Sequence, residues 1–222
     1  MPAYRPGVPV PEAGRRPYDA GVDPTALLVV PSYLVGTFPT GLLVGRRAGH
    51  DPTAEGSGNP GATNVARVAG RGAGLVVLLV DLAKGALPAA VGVAVGGAVL
   101  GLACGGAAVL GHVAPVTRGF RGGKGVATAA GTVIVVEPAL SLVIGAAFVV
   151  AALVSRRVSV ASLTMAVALP LVLLVAGRPA GEVALAVGLS LCVIARHHEN
   201  IARLLRHEEP AFRLSRAPRR HP

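Results

Sequence analysis

Arg118–Gly131 reads RGFRGGKGVATAAG: three basic side chains and a Gly-Gly-Lys-Gly turn that runs straight into an apolar stretch. Whether that stretch, 126–136, crosses a bilayer decides how often the whole chain does. As a helix it rises only about 16 Å, roughly half of a bilayer's apolar core. The turn has a chemistry of its own. Consecutive glycines let backbone N–H groups converge, Lys124 adds a full positive charge, and a helix-competent segment follows at once. Together these make a cradle for a phosphate or carboxylate. A Walker A loop would need Gly at position 118 and Ser or Thr at 125, where the chain has Arg118 and Gly125; nucleotide hydrolysis is disfavoured, phosphate binding is not.

Outward from this turn, apolar runs recur at about 26–45, 73–93, 96–115, 126–136, 139–155, 158–176 and 180–196. Of 222 residues, 52% are hydrophobic and 14% charged, against about 25% charged in soluble domains. This is the composition of a polytopic membrane protein. A net charge of +10 would suggest nucleic acid in a soluble chain, but 3% aromatic content removes the usual stacking platforms, so no nucleic-acid partner is expected. Arginines on cytoplasmic loops account for the charge instead. Cys104 and Cys192 lie in apolar runs without metal-ligand spacing. No metal site and no cofactor are expected.

Charge also settles the count. If all seven runs cross with the N-terminus outside, the inside carries Arg46, Arg47, Arg67, Arg71, Arg118, Arg121, Lys124, Arg156, Arg157 and seven arginines from Arg196 onward, sixteen basic residues. Only Arg5, Arg15, Arg16 and Arg178 remain outside, with Lys84 in the membrane. That is the asymmetry of the positive-inside rule; six crossings would expel Arg156, Arg157 and the C-terminal tail. The expected fold is all-α, with seven transmembrane helices of which the fourth is short. The N-terminus is outside and the C-terminus cytoplasmic. Residues 1–25 read as a disordered tail, 26–209 as one membrane-embedded domain and 210–222 as a basic tail.

This topology gathers three polar segments on one face: 55–67 (EGSGNPGATNVAR), 118–128 (RGFRGGKGVAT) and 197–209 (HHENIARLLRHEE). In the first, Ser57 and Asn64 can donate hydrogen bonds and Arg67 suits bidentate phosphate recognition; Asn59 and Thr63 are further candidates. In the second, Arg121, Gly122, Gly123 and Gly125 join Lys124 as phosphate-binding candidates. In the third, His197, Asn200 and Arg203 are spaced to share one helix face. Within the membrane, Asp81 and Lys84 read either as a mutually neutralising pair or, for Lys84, as help in holding an anion. His112, before Pro115, is expected to cap its helix's carbonyls rather than act as a base. The inventory is rich in cations and donors and poor in bases. No H-x4-D pair and no G-x-S-x-G elbow occurs. Such a site binds two phosphates, orients them and leaves the reactivity to an activated substrate.

GSGNPGATNVAR at 56–67, DLAKG at 81–85, GHVAP with FRGGKGVATAAG, VSVASL at 158–163 and HHENIARLL with Glu209 resemble the acyl-phosphate:glycerol-3-phosphate acyltransferase family over about 26–209. The resemblance implies an integral inner-membrane enzyme with its motifs on the cytoplasmic side. It would move an acyl chain from acyl phosphate to the 1-hydroxyl of glycerol 3-phosphate, giving lysophosphatidic acid and inorganic phosphate. Ser57, Arg67, Lys124, His197 and Asn200 fall on positions that family members use for binding and catalysis. The glycine turn matches the family's phosphate loop, and Glu209 its last-motif glutamate. The donor's own phosphate can take the alcohol's proton, in keeping with the missing base. One departure stands out: the family usually carries Gly two residues before that glutamate, and this chain has His207. Two competing classes share the cationic site, an organic-phosphate transporter and a catalytically weakened paralogue acting as a scaffold.

Overall fold

In a computed structural model, residues 24–211 are described; all but two residues of the expected N-terminal tail and all but two of the basic C-terminal tail lie outside them. Every regular element among the described residues is helical: α1 Val29–Gly36, α2 Thr40–Arg47, α3 Ala62–Val68, α4 Arg71–Val113, α5 Val126–Val136, α6 Pro138–Ser155, α7 Val158–Val175, α8 Ala180–Arg196 and α9 His198–Leu205, with 3-10 turns at Pro24–Leu28 and Val116–Arg118.

The first apolar run, expected to be continuous, is broken between α1 and α2. Pro39 offers no N–H and disfavours helical geometry at Phe38. The break takes the Phe38 carbonyl out of the helix ladder, and it accepts from the Thr40 N–H and from Lys84 Nζ, each at 2.9 Å. A charged side chain inside an apolar bundle thus has a local reason to be there.

α4 is two helices, not one. Gly96 and Gly97 leave helical geometry, Gly97 at φ 76°, ψ −167°, a region open essentially to glycine alone. The chain reverses there, so Lys84 on the arm 71–95 meets His112 on the arm 98–113, 3.2 Å from Nζ to Nδ1. This is the reversal expected between the second and third runs. α5 packs against the first arm through small residues. A Cβ on Gly85 would lie 1.9 Å from the Thr128 carbonyl oxygen, and one on Gly131 2.0 Å from that of Leu82. Close backbone approach is how membrane helices gain contact where burial of apolar surface gives little.

From Arg71 onward the helices run back and forth between two ends. At one, Arg178 after α7 pairs with buried Glu137 between α5 and α6 at 2.6 Å, and a Cβ on Gly181 would lie 3.8 Å from Val99 beside the hairpin turn. At the other, Gly123 meets His112 and Arg196, and Arg157 reaches Glu209. The core between them comprises Val109, Val113, Val133, Ile144, Leu169, Leu173, Leu189 and Val193, drawn from the second α4 arm and α5–α8. Outward-facing residues are equally apolar: Leu142, Leu153, Val154 and Val175 are all exposed. An apolar surface of this kind needs lipid, not water. Thr25–Arg47, Arg71–Arg118, Pro138–Ser155 and Val158–Val175 are long and apolar enough to cross a membrane, as are α8 and α9 taken together across their 59° bend; α5 has eleven residues.

Candidate functional site

The site is built at the end where the loops 48–70, 114–125 and 206–211 lie. Asn64, on α3, is the staple of the first loop. Its Nδ2 donates to the Pro52 and Glu55 carbonyls, both at 3.0 Å, and its Oδ1 accepts from the Ser57 N–H at 2.9 Å and Arg67 Nη1 at 3.3 Å. Two donors and two acceptors exhaust a carboxamide. Asn64, expected to bind substrate, is buried here with its carboxamide bonded within the protein. What it achieves is to hold Ser57 and Arg67, both exposed, over one α3 turn. Asn59 accepts from the Gly61 N–H at 2.8 Å, an Asx turn, and Thr63 is exposed.

The second and third segments meet directly. Lys124 Nζ donates to Asn200 Oδ1, and Asn200 Nδ2 donates to Glu209 Oε1 at 2.7 Å. Arg203 Nε donates to the other carboxylate oxygen, also at 2.7 Å, while Arg157 Nε takes the Glu209 carbonyl at 3.1 Å. Burial lowers the Lys124 ammonium below the ordinary lysine value, and the neighbouring Arg203 charge adds to this. For Glu209, burial pushes upward but the hydrogen bonds around it, with Arg203 and Asn200 donating to its two oxygens, outweigh it and hold the carboxyl below the usual glutamate range.

His197 is not on one helix with Asn200 and Arg203, as the spacing predicts. α8 ends at Arg196 and α9 starts at His198, bent by 59°, so His197 is the joint. It is 2% exposed, and its Nδ1 lies 2.7 Å from the Val193 carbonyl oxygen. A carbonyl only accepts, so Nδ1 carries the proton and Nε2 of the neutral ring is left as an acceptor. Val193 also lines an apolar cavity of about 100 Å³, with Val133, Ile144, Met165, Leu169 and Leu189 among its walls. A Cβ on Gly125 would stand 3.9 Å from Val193 as well. Val193 thus borders the cavity and the glycine turn with its side chain and holds the histidine joint with its backbone carbonyl.

Asp81, Lys84 and His112 form a knot beneath this floor. Lys84 Nζ is 2.8 Å from Asp81 Oδ1, donates to the Phe38 carbonyl and donates to His112 Nδ1. Two hydrogen bonds and one close ion pair occupy the ammonium, so mutual neutralisation is the reading that the geometry supports for this pair. The expectation for His112 is corrected: its ring packs in the charge knot instead of capping helix carbonyls, because Lys84 and Asp81 on the facing arm offer a stronger partner. A hollow with room for about one water connects the knot to Thr40, Pro60, Arg118 and Gly123. Arg121 is exposed.

Two functional-looking residues escaped the sequence reading except as charges. Arg196 donates to the Gly122 and Gly123 carbonyls, and Arg157 braces Glu209. Both partners are backbone oxygens, which leave no mark on a sequence.

The family model for glycerol-3-phosphate acyltransferase matches residues 26–207. The glycerol-3-phosphate acyltransferase of Thioalkalivibrio sulfidiphilus is 44% identical over 185 residues, covering 82% of this chain and 91% of the relative. That of Rubrobacter xylanophilus is 44% identical over 187 residues, covering 84% and 94%. The crystal structure of PlsY, an integral membrane glycerol 3-phosphate acyltransferase, in its glycerol 3-phosphate form superposes with a TM-score of 0.82 at 40% identity, covering 85% of this chain and 96% of that one. Its lysophosphatidic acid form gives 0.79 at 40% identity, covering 84% and 94%.

Proposed function

The chain belongs to the glycerol-3-phosphate acyltransferase family, and from that premise we propose that it moves a fatty acyl group from acyl phosphate to the 1-hydroxyl of sn-glycerol 3-phosphate. The products are lysophosphatidic acid and inorganic phosphate, the opening of phospholipid synthesis. The observation that carries the reading is the place of Val193, where an apolar cavity meets a cationic cluster of Lys124, Arg203 and the glycine turn. A substrate with a long apolar tail and a phosphate head fits both halves at once. Acyl phosphate has that form.

The first carbons of the acyl chain lie in the cavity and the rest along the apolar outer surface at Ile134, with the phosphate on the turn and Lys124. Ser57, Arg67, His197 and Asn200 bind and orient the second phosphate and the attacking hydroxyl. The alcohol oxygen bonds to the acyl carbon, the bond from that carbon to the phosphate oxygen breaks, and the departing phosphate takes the alcohol's proton. Lys124 neutralises the charge that develops on it. We place seven crossings, α5 the short one, with the site on the cytoplasmic face of the bacterial inner membrane. The sixteen basic residues of that face support this orientation. Residues 26–209 then form a single membrane domain.

The test is a donor comparison on the purified protein in lipid. Lysophosphatidic acid formation is followed from palmitoyl phosphate, palmitoyl-CoA and palmitoyl-acyl carrier protein. Product from the acyl phosphate alone is expected; equal or better use of a thioester donor refutes it. Replacing Ser57 or His197 with Ala is expected to lower kcat while the pH–rate profile keeps its shape. Loss of one limb in the His197→Ala variant would make that ring the base and rule out proton transfer to the donor phosphate.

A further inference from the structure

Arg196, the last residue of α8, has no acidic partner within salt-bridge distance among the described residues; its guanidinium goes to the backbone of the glycine turn. Nε donates to the Gly123 carbonyl and Nη2 to the Gly122 carbonyl, each at 3.2 Å. The peptide bonds are trans, so each N–H points opposite to the carbonyl it shares a plane with. With the Gly122 carbonyl on Arg196, the Gly123 N–H must point away, and it donates to the His112 carbonyl at 3.0 Å. With the Gly123 carbonyl also on Arg196, the Lys124 N–H is turned away in the same manner. Neither the Lys124 nor the Gly125 N–H meets an acceptor among the described residues.

The slot that holds this turn admits no side chain. A Cβ on Gly122 would stand 2.1 Å from the His112 carbonyl oxygen, and one on Gly123 2.1 Å from His112 Nε2. Glycine is thus required sterically, yet a Gly-Gly pair left to itself can rotate its peptide planes freely. A flipped plane would aim a carbonyl oxygen at the bound anion. Something must fix the planes, and the planar two-pronged guanidinium is suited to it as a single ammonium is not.

We propose that Arg196 is a positioning residue that locks both carbonyls of the phosphate-binding turn to one side, so that the Gly123 N–H is spent on the His112 carbonyl and the Lys124 N–H is turned away and left for the substrate's phosphate. The inference rests on the turn's being an anion site. Arg196 touches no substrate; it acts through Gly122 and Gly123.

The test uses the full chain in lipid and two variants, Arg196→Met and Arg196→Lys. Affinity for inorganic phosphate is read by thermal shift, apart from turnover, and KM and kcat are measured for palmitoyl phosphate and glycerol 3-phosphate. Arg196→Met is expected to weaken phosphate binding and raise KM for the phosphate substrate on the turn by about tenfold, the worth of one charge-assisted hydrogen bond. Arg196→Lys keeps the charge but not the fork and is expected to recover only part of this. A residue needed merely for folding would lower the amount of active protein and leave KM unchanged. Phosphate affinity and KM within about twofold of the parent in both variants would overturn the proposal, as would a parent protein that does not bind phosphate. Phosphate binding that depends on Arg196 in a protein that fails to use acyl phosphate would uphold Arg196 and overturn the proposed reaction.

Discussion

His207 shows what one residue can tell. It has φ 58°, in the left-handed region, at the end of α9. Its N–H donates to the Leu204 carbonyl at 3.1 Å and that of Glu208 to the Arg203 carbonyl at 2.8 Å, the paired bonds of a Schellman motif. Glycine is at home at this position; a Cβ there costs about 1–2 kcal/mol. The departure from the family's glycine therefore leaves the turn's geometry intact and shows as strain. His207→Gly is expected to stabilise the protein by about 1 kcal/mol, read as a higher melting temperature in detergent with activity unchanged; an unaltered melt would deny the strain. Glu209, which this turn delivers to Asn200 and Arg203, gives a pH prediction. Its folded value lies below the unfolded one of 4.5, so its stabilisation is in place above that pH and is lost as pH falls toward the folded value. The melting gap between the protein and a Glu209→Gln variant is expected to be full at neutral pH and to close in acid; a gap constant with pH would refute the charged clamp. Residue roles were the least legible from sequence. Asn64 stood in a polar, arginine-bearing segment and looked free to bind, but its partners are the Pro52 and Glu55 carbonyls, and every residue has a carbonyl.

At the scale of elements, hydropathy located the runs but not their breaks. The stretch 26–45 is mostly apolar and holds two X-Pro pairs; Val30-Pro31 falls in the first turn of α1, where proline is tolerated, and Phe38-Pro39 separates α1 from α2. That the chain turns back between the second and third runs and that α5 is short were legible from run length, but the turn itself falls at Gly96–Gly97, two residues past the expected gap. Which faces pack was not, since Ala, Val, Leu and Gly alternate without a strong apolar stripe. The contact between α5 and the first α4 arm rests on Gly85, whose added Cβ would meet a backbone oxygen that no rotamer change can move. Gly85→Ala is expected to destabilise by about 1–3 kcal/mol, as overpacking does. Gly106→Ala, with open space at the Cβ position, serves as its control and is expected to change little. Equal melting temperatures for the two variants would contradict the close approach.

For the molecule as a whole, the apolar exterior and the crowding of polar loops at one end were both written in the distribution of charge. Nine basic residues in alternate loops and seven from Arg196 onward led to the expectation that these segments share a side, and the helices bring 118–125 and 196–209 into direct contact. The first segment joins them through the hollow at Pro60, Arg118 and Gly123. The account makes Lys124 the centre of this end, with the glycine turn beside it and Asn200 on its amine. Phosphate release from palmitoyl phosphate, with and without glycerol 3-phosphate, is therefore the measurement to make on the parent protein and on Lys124→Ala in the same lipid. The account predicts release that requires the acceptor and falls by about a hundredfold or more in the variant. Acceptor-dependent release of undiminished rate from Lys124→Ala would contradict it.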